Sequence, residues 1–130
     1  MCNDVWMTST PGTLISREPR RLGKFEVGPL AYGLWRFTSA NVAVGQRLLE
    51  AALDAGMNLI DTADVYGFDW GGTGFGSVEE NLGRVLAQAR GLRERMVLST
   101  KGGIRPPIPY DSSRDGLRSA GEVSLAWLGV

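Results

Sequence analysis

The sequence predicts an α/β protein in which parallel strands alternate with helical crossovers. Three short apolar runs of strand length alternate with three longer stretches whose apolar residues recur every three or four positions. The helical stretches open near Ser or Asn, and the strand-length runs end in polar residues, the punctuation expected of β-α-β units. Units joined in this way build parallel sheets with right-handed crossovers, either closed as a (β/α)8 barrel or open as a doubly wound sheet.

Residues 1–19 carry no such pattern and are expected to form a mobile tail, with residues 20–130 as the folded part. Lys24–Val27 and Leu30–Phe37 are extended segments, and Gly28-Pro29 between them suits a small turn joining strands. Val44, Leu48, Leu49, Ala52 and Ala55 then share one face of a helix; Ser39 or Asn41 caps its start, and Gly56 sits where a C′ glycine belongs. Met57–Ile60 reads as a buried strand, followed by a glycine-rich loop from Gly67 to Gly76. Ser77-Val78-Glu79-Glu80 has the spacing of a capping box, in which Ser77 and Glu80 each bond the other's amide. Val78, Leu82, Val85, Leu86 and Ala89 mark the buried face of the helix it starts, and Arg90, Arg93, Glu94 and Arg95 its solvated end and turn. Met96–Ser99 is another strand, ending in Thr100 and Lys101. Beyond the rigid, proline-rich stretch Arg105–Pro109, Ser112 or Ser113 opens a last helix with Leu117, Ala120, Val123, Ser124 and Leu128 inward.

Composition narrows the chemistry. With 14 basic and 14 acidic residues the net charge is zero, so the basic excess needed for nucleic acid or an anionic membrane surface is missing. Histidine is absent, which forbids imidazole acid–base chemistry, His-based metal sites and Ser-His-Asp or Cys-His catalysis. The lone Cys2 can form neither an internal disulfide nor a thiolate cage. No apolar run approaches the roughly 18 residues of a spanning helix, and the opening lacks the basic start and apolar core of a secretory signal. A cytoplasmic protein without nucleic-acid or membrane partners is expected.

In both architectures ligands bind at the carboxyl ends of the strands. Those ends hold Trp35, then Asp61, Asp64 and Tyr66, then Lys101. A tyrosine is a poor proton donor at neutral pH, but a nearby ammonium stabilises the phenolate and brings proton transfer within range. The lysine in turn needs an anionic partner, for which Asp61 is the candidate. Tyr66, Lys101 and Asp61 thus form a chain able to protonate a developing alkoxide; the alternative is a surface ion pair beside a tyrosine that merely packs. Trp70 and Phe75 either face the substrate or pin their loop. Gly71–Gly76 is a weak phosphate loop: it lies far beyond the strand, Glu79 stands where a dinucleotide fingerprint has glycine, and Glu79 and Glu80 oppose an anion.

Asp61-Thr62-Ala63-Asp64-Val65-Tyr66-Gly67, Glu79-Glu80-Asn81-Leu82-Gly83 and Ser99-Thr100-Lys101-Gly102-Gly103 resemble the signature blocks of the aldo-keto reductases, in the family's order. The similarity runs upstream through Leu30–Trp35 and downstream past Pro106, covering roughly residues 20–130. The resemblance implies a partial (β/α)8 TIM barrel, an N-terminal hairpin plus the first three βα units, belonging to an NADPH-dependent oxidoreductase. Such an enzyme reduces aldehydes and ketones by hydride transfer. It further implies that Tyr66 is the acid, that Lys101 lowers its pKa, that Asp61 holds Lys101 and approaches the nicotinamide ribose, and that Trp35 lies near nicotinamide and carbonyl substrate.

The family's site also holds a histidine at the end of the fourth barrel strand, and a whole barrel takes about 250 residues. This chain is therefore expected to be the N-terminal part of a reductase, inactive alone, marginal in stability and prone to self-associate through exposed sheet edges. A non-catalytic nucleotide-sensing subunit and a non-functional gene fragment are the other readings.

Overall fold

The computed structural model describes residues 18–105 and 110–130. The expected tail falls almost wholly, and Pro106–Pro109 entirely, outside the described residues. The chain begins with a hairpin of β1 (Arg20–Leu22) and β2 (Phe25–Val27), paired antiparallel with Leu22 opposite Phe25. Its turn is Gly23-Lys24, with Gly23 at φ 59°, the first central position at which a II′ turn takes glycine. Gly28-Pro29 joins two strands as expected, and the strands belong to different sheets, so the joint is a corner between them. There Gly28 N–H donates to Asn58 Oδ1 (2.7 Å) while Asn58 Nδ2 donates to the Glu26 carbonyl (3.0 Å), docking the hairpin beneath the main sheet.

The main sheet contains β3 (Ala31–Gly33), β4 (Leu59–Asp61) and β5 (Val97–Ser99), parallel and in sequential order. The strands are shorter than the apolar runs for local reasons. Met57 N–H is still bonded to the Ala52 carbonyl of the preceding helix, and after Gly33 the chain turns, Phe37 N–H bonding the Leu34 carbonyl. Crossovers are made by α1 (Val42–Asp54), α2 (Ser77–Gln88) and, after β5, α3 (Arg114–Leu128), with a single 3-10 turn over Arg93–Arg95. Tyr32, Ile60 and Leu98 lie side by side in the register, and Ile60 packs in one core with Leu49 and Leu53 of α1, Val78, Leu82 and Val85 of α2, and Leu128 of α3. All three helices therefore cover one face of the sheet. Sequential strands with helices on a single side build a barrel wall, whereas a doubly wound sheet carries helices on both faces. By the period-2 alternation, Gly33, Asp61 and Ser99 form a row on the opposite, open face.

Capping follows the sequence at two helices. Asn41 accepts from Val44 N–H to open α1, Ser113 accepts from Gly116 N–H to open α3, and Gly56 (φ 83°) follows α1. The buried stripe of α1 is Gly45, Leu49, Ala52 and Leu53, which shares Leu49 and Ala52 with the expected set, while Leu48 is 44% exposed and Ala55 is the C-cap. The cause is Gly45, where a Cβ would lie 2.7 Å from the Phe37 ring and 2.8 Å from Val85, so the helix turns its bare backbone inward. On α3 only Ala120, Ser124 and Leu128 are buried; Leu117 and Val123 face outward, because α3 meets α2 along a narrow stripe. The capping box at Ser77 is also corrected. The N-cap is Gly76 in a left-handed conformation, and Ser77 lies inside the helix, its buried Oγ packed against Gly67 rather than against an amide.

Candidate functional site

The sheet ladder continues past the strand ends and brings the predicted residues together. Leu34 N–H donates to the Asp61 carbonyl (2.9 Å), Thr62 N–H to Ser99 (2.9 Å) and Asp64 N–H to Lys101 (3.1 Å). These bonds fix the segments carrying Trp35, Asp61, Tyr66 and Lys101 at one end of the open face. Lys101 Nζ donates to Asp61 Oδ2 (2.8 Å) and to the Thr62 carbonyl (2.6 Å), and lies 4.7 Å from the centroid of the Tyr66 ring. Burial works against the Lys101 ammonium, but hydrogen bonding and opposite charge from Asp61 and Tyr66 outweigh it and hold the amine above the ordinary lysine value. The Lys101–Asp61 pair is half open to solvent on the lysine side, so it adds at most about 1 kcal/mol to stability.

Trp35 stacks on Tyr66, centroids 6.0 Å apart and planes 9° from parallel, with Trp70 edge-on to Trp35 at 5.8 Å and the Arg36 guanidinium 5.2 Å from the Trp70 ring. Trp35 and Trp70 are each 53% exposed. The two loop aromatics left undecided by sequence therefore separate. Trp70 joins the cluster at the strand ends, while Phe75 packs on Phe68 and Trp127 beneath Arg105 and pins the loop to α3. Amides at the start of α2 are engaged internally, Ser77 N–H with the Gly74 carbonyl and Val78 N–H with that of Tyr66, so these two are not offered to a phosphate.

Sequence reasoning placed Asp64 at a strand end and Glu79 at a helix start, but it marked neither as a buried carboxyl behind the site. Asp64 is 1% exposed and pairs with Arg105 (3.2 Å); burial raises its pKa, which Arg105 only partly offsets. Glu79 is fully buried on α2 and accepts a hydrogen bond from Thr100 Oγ1; burial raises its pKa despite Thr100 and Ser124, and the neighbouring Asp64 charge raises it further. The signal was present: Glu79 stands three residues before Leu82 and seven before Leu86, on the apolar stripe itself.

Because both folded-state pKa values lie above the unfolded ones, these carboxyls bind more protons in the folded chain. Their contribution to stability is complete below the ordinary carboxylate range and is lost as pH rises through the raised values. Glu79→Gln is therefore expected to flatten the fall in melting temperature between mildly acid and neutral pH, and to melt no lower than the parent at pH 7. Parallel melting curves for the two chains at every pH would contradict this.

The Aldo/keto reductase family matches residues 29–130. The 6-dehydroglucose reductase of Novosphingobium aromaticivorans is 54% identical over 115 residues, covering 85% of this chain and 38% of that protein. That of Agrobacterium fabrum is 36% identical over 93 residues, covering 69% of this chain and 29% of that protein. Among solved structures, an aldo-keto reductase of Pseudomonas aeruginosa superposes with a TM-score of 0.64 at 34% identity, over 86% of this chain and 42% of that one. The holo form of an aldo-keto reductase of Bacillus halodurans superposes with a TM-score of 0.67 at 25% identity, over 88% and 37%. The chain thus spans less than half the length of each of these relatives.

Proposed function

Since the chain belongs to the aldo/keto reductase family, an oxidoreductase family, we propose that it carries the proton-donating part of a nicotinamide-dependent carbonyl reductase site, with Tyr66 as the acid. The observation that carries this reading is the Asp61–Lys101–Tyr66 cluster, its ammonium 2.8 Å from the Asp61 carboxylate and 4.7 Å from the phenol ring, on the open face of the sheet. Tyr66 Oη gives its proton to the carbonyl oxygen as the carbon is reduced. Lys101 stabilises the phenolate left behind, and Asp61 keeps Lys101 charged and aimed. The cofactor, NADPH by the family resemblance, supplies the hydride to the carbonyl carbon when bound. The half-exposed face of Trp35 and the Asp61 carboxylate fit a planar ring with an attached ribose, and these two residues would hold it.

For substrate we propose a polyhydroxylated aldehyde. The name of the Novosphingobium relative supports this, as does the pairing of exposed Trp35 and Trp70 faces with the Arg36 guanidinium, which suits the C–H faces and hydroxyls of a sugar. No described helix is long and apolar enough to cross a membrane. By analogy with other aldo/keto reductases, we propose a cytoplasmic location. By itself the chain is proposed to be inactive and to self-associate through β3 and β5, the outer strands of the sheet.

The test is reduction of sugar and simple aldehydes with NADPH or NADH. It compares the chain alone with a chimera in which residues 29–130 replace the matching part of the Novosphingobium 6-dehydroglucose reductase. Turnover by the chimera that depends on Tyr66 is expected; a folded chimera that binds cofactor but reduces nothing would overturn the reading.

A further inference from the structure

We propose that Glu79 is a positioning residue for Lys101: from α2 its carboxylate holds the Thr100 hydroxyl, and together with Asp64 it clamps the 100–102 segment that aims the ammonium at Asp61 and Tyr66. This rests on the reading of Lys101 given above.

The segment needs a tether. β5 ends at Ser99, and Gly102 and Gly103 follow Lys101, so neither regular structure nor side-chain bulk stiffens the backbone on its far side. Two contacts replace them. Asp64 N–H donates to the Lys101 carbonyl (3.1 Å), and Thr100 Oγ1 donates to Glu79 Oε1. Gly102 then threads a gap in which a Cβ would lie 2.7 Å from Ala120 Cβ and 3.2 Å from Asp64 Oδ2, so the chain is gripped between α3 and the Asp64 carboxylate.

Stability does not account for Glu79. A carboxylate with no exposure is costly beside a well-packed apolar residue of similar volume, and Glu79 Oε2 has no hydrogen-bond partner among the described residues. What the carboxylate does and an apolar side chain could not is accept the Thr100 hydroxyl one residue before Lys101 while also facing the Ser124 hydroxyl of α3. The titratable groups near the ammonium are Asp61 and Tyr66 in contact and Glu79 at longer range, with Asp64 beside Glu79. A direct effect of the Glu79 charge on Lys101 must therefore be separated from the tether.

The chain contains only two lysines, Lys24 and Lys101, so the ε-methylene signals of 13C-lysine-labelled protein give the Lys101 titration directly, with Lys24→Arg for assignment. Thr100→Val keeps every charge, keeps the side-chain volume and removes the tether. It is expected to lower the Lys101 midpoint by about half a pH unit or more, as the contact with Asp61 loosens. Glu79→Gln removes the charge but keeps the accepting oxygen, and is expected to lower the midpoint clearly less than Thr100→Val does. Glu79→Leu removes both and should match or exceed Thr100→Val; if it does not fold, the first two variants decide alone. An unmoved midpoint in Thr100→Val, or a larger fall in Glu79→Gln than in Thr100→Val, overturns the proposal. The titration uses no turnover, so a reductase reading that fails in the chimera leaves this result standing, and the reverse also holds.

Discussion

Tyr66→Phe in the chimera is expected to lower kcat for aldehyde reduction by about 10²–10⁴-fold, the range typical of a positioned proton donor. KM should change little. The phenol hydroxyl acts as negative charge develops on the carbonyl oxygen, so its loss falls on the transition state more than on substrate binding. The ring stays in place because its stacking on Trp35, with centroids 6.0 Å apart, involves the aromatic face and does not need the hydroxyl, even though the hydrogen bond between Lys101 and the phenol oxygen is lost. The melting temperature should accordingly match the parent's. Reduction at the parent's rate by the phenylalanine variant would remove Tyr66 from the chemistry and leave the cluster as an ion pair beside a packed ring.

The second large effect is on folding and contrasts two helical glycines. In an open helix Gly→Ala gains roughly 0.5–1 kcal/mol by restricting the unfolded chain. Gly121 on α3 has nothing within 4 Å of where its Cβ would sit, so Gly121→Ala should raise the melting temperature by roughly 2–8 °C. Gly83 on α2 is different: its Cβ would strike the Trp127 carbonyl oxygen and stand 3.2 Å from the Leu128 carbonyl, both backbone atoms that cannot swing away. Overpacking of that kind costs about 1–3 kcal/mol or more, which exceeds the helix gain, so Gly83→Ala should melt roughly 5–15 °C lower. Calorimetry or circular dichroism on the two single variants reads this directly. Shifts of the same sign in both would show that α2 and α3 do not meet as closely as Gly83 implies.

The contrast explains how much of the fold was legible. The core positions of α2, Val78, Leu82 and Val85, follow from spacing, since a helix that must bury one side repeats its apolar residues at its own period. The face of α1 followed only in part. Spacing selects apolar residues, whereas the surface that packs is centred on Gly45, which no hydrophobic pattern marks. The first hairpin strand, Arg20–Leu22, was invisible because both its arginines and its leucine are exposed. The Gly23-Lys24 turn between it and Phe25–Val27 was the available cue.

The site divides in the same way. Asp61, Tyr66 and Lys101 could be named from sequence because strand ends and local patterns are short-range properties, and because a proton relay requires those residue types. Their convergence depends on register: Asp61 pairs with Ser99, which brings Lys101, two residues further along, within 2.8 Å of the Asp61 carboxylate. Pattern alone left open the choice between a barrel wall and a doubly wound sheet; the family resemblance pointed to the barrel and the packing agrees, while the separate roles of Trp70 and Phe75 and the burial of Asp64 and Glu79 were decided by packing. By itself the sequence determined the order of strands and helices and the chemistry at the strand ends. Only the tertiary structure decided which face the helices cover and which carboxyls lose water, because desolvation depends on neighbours distant in sequence.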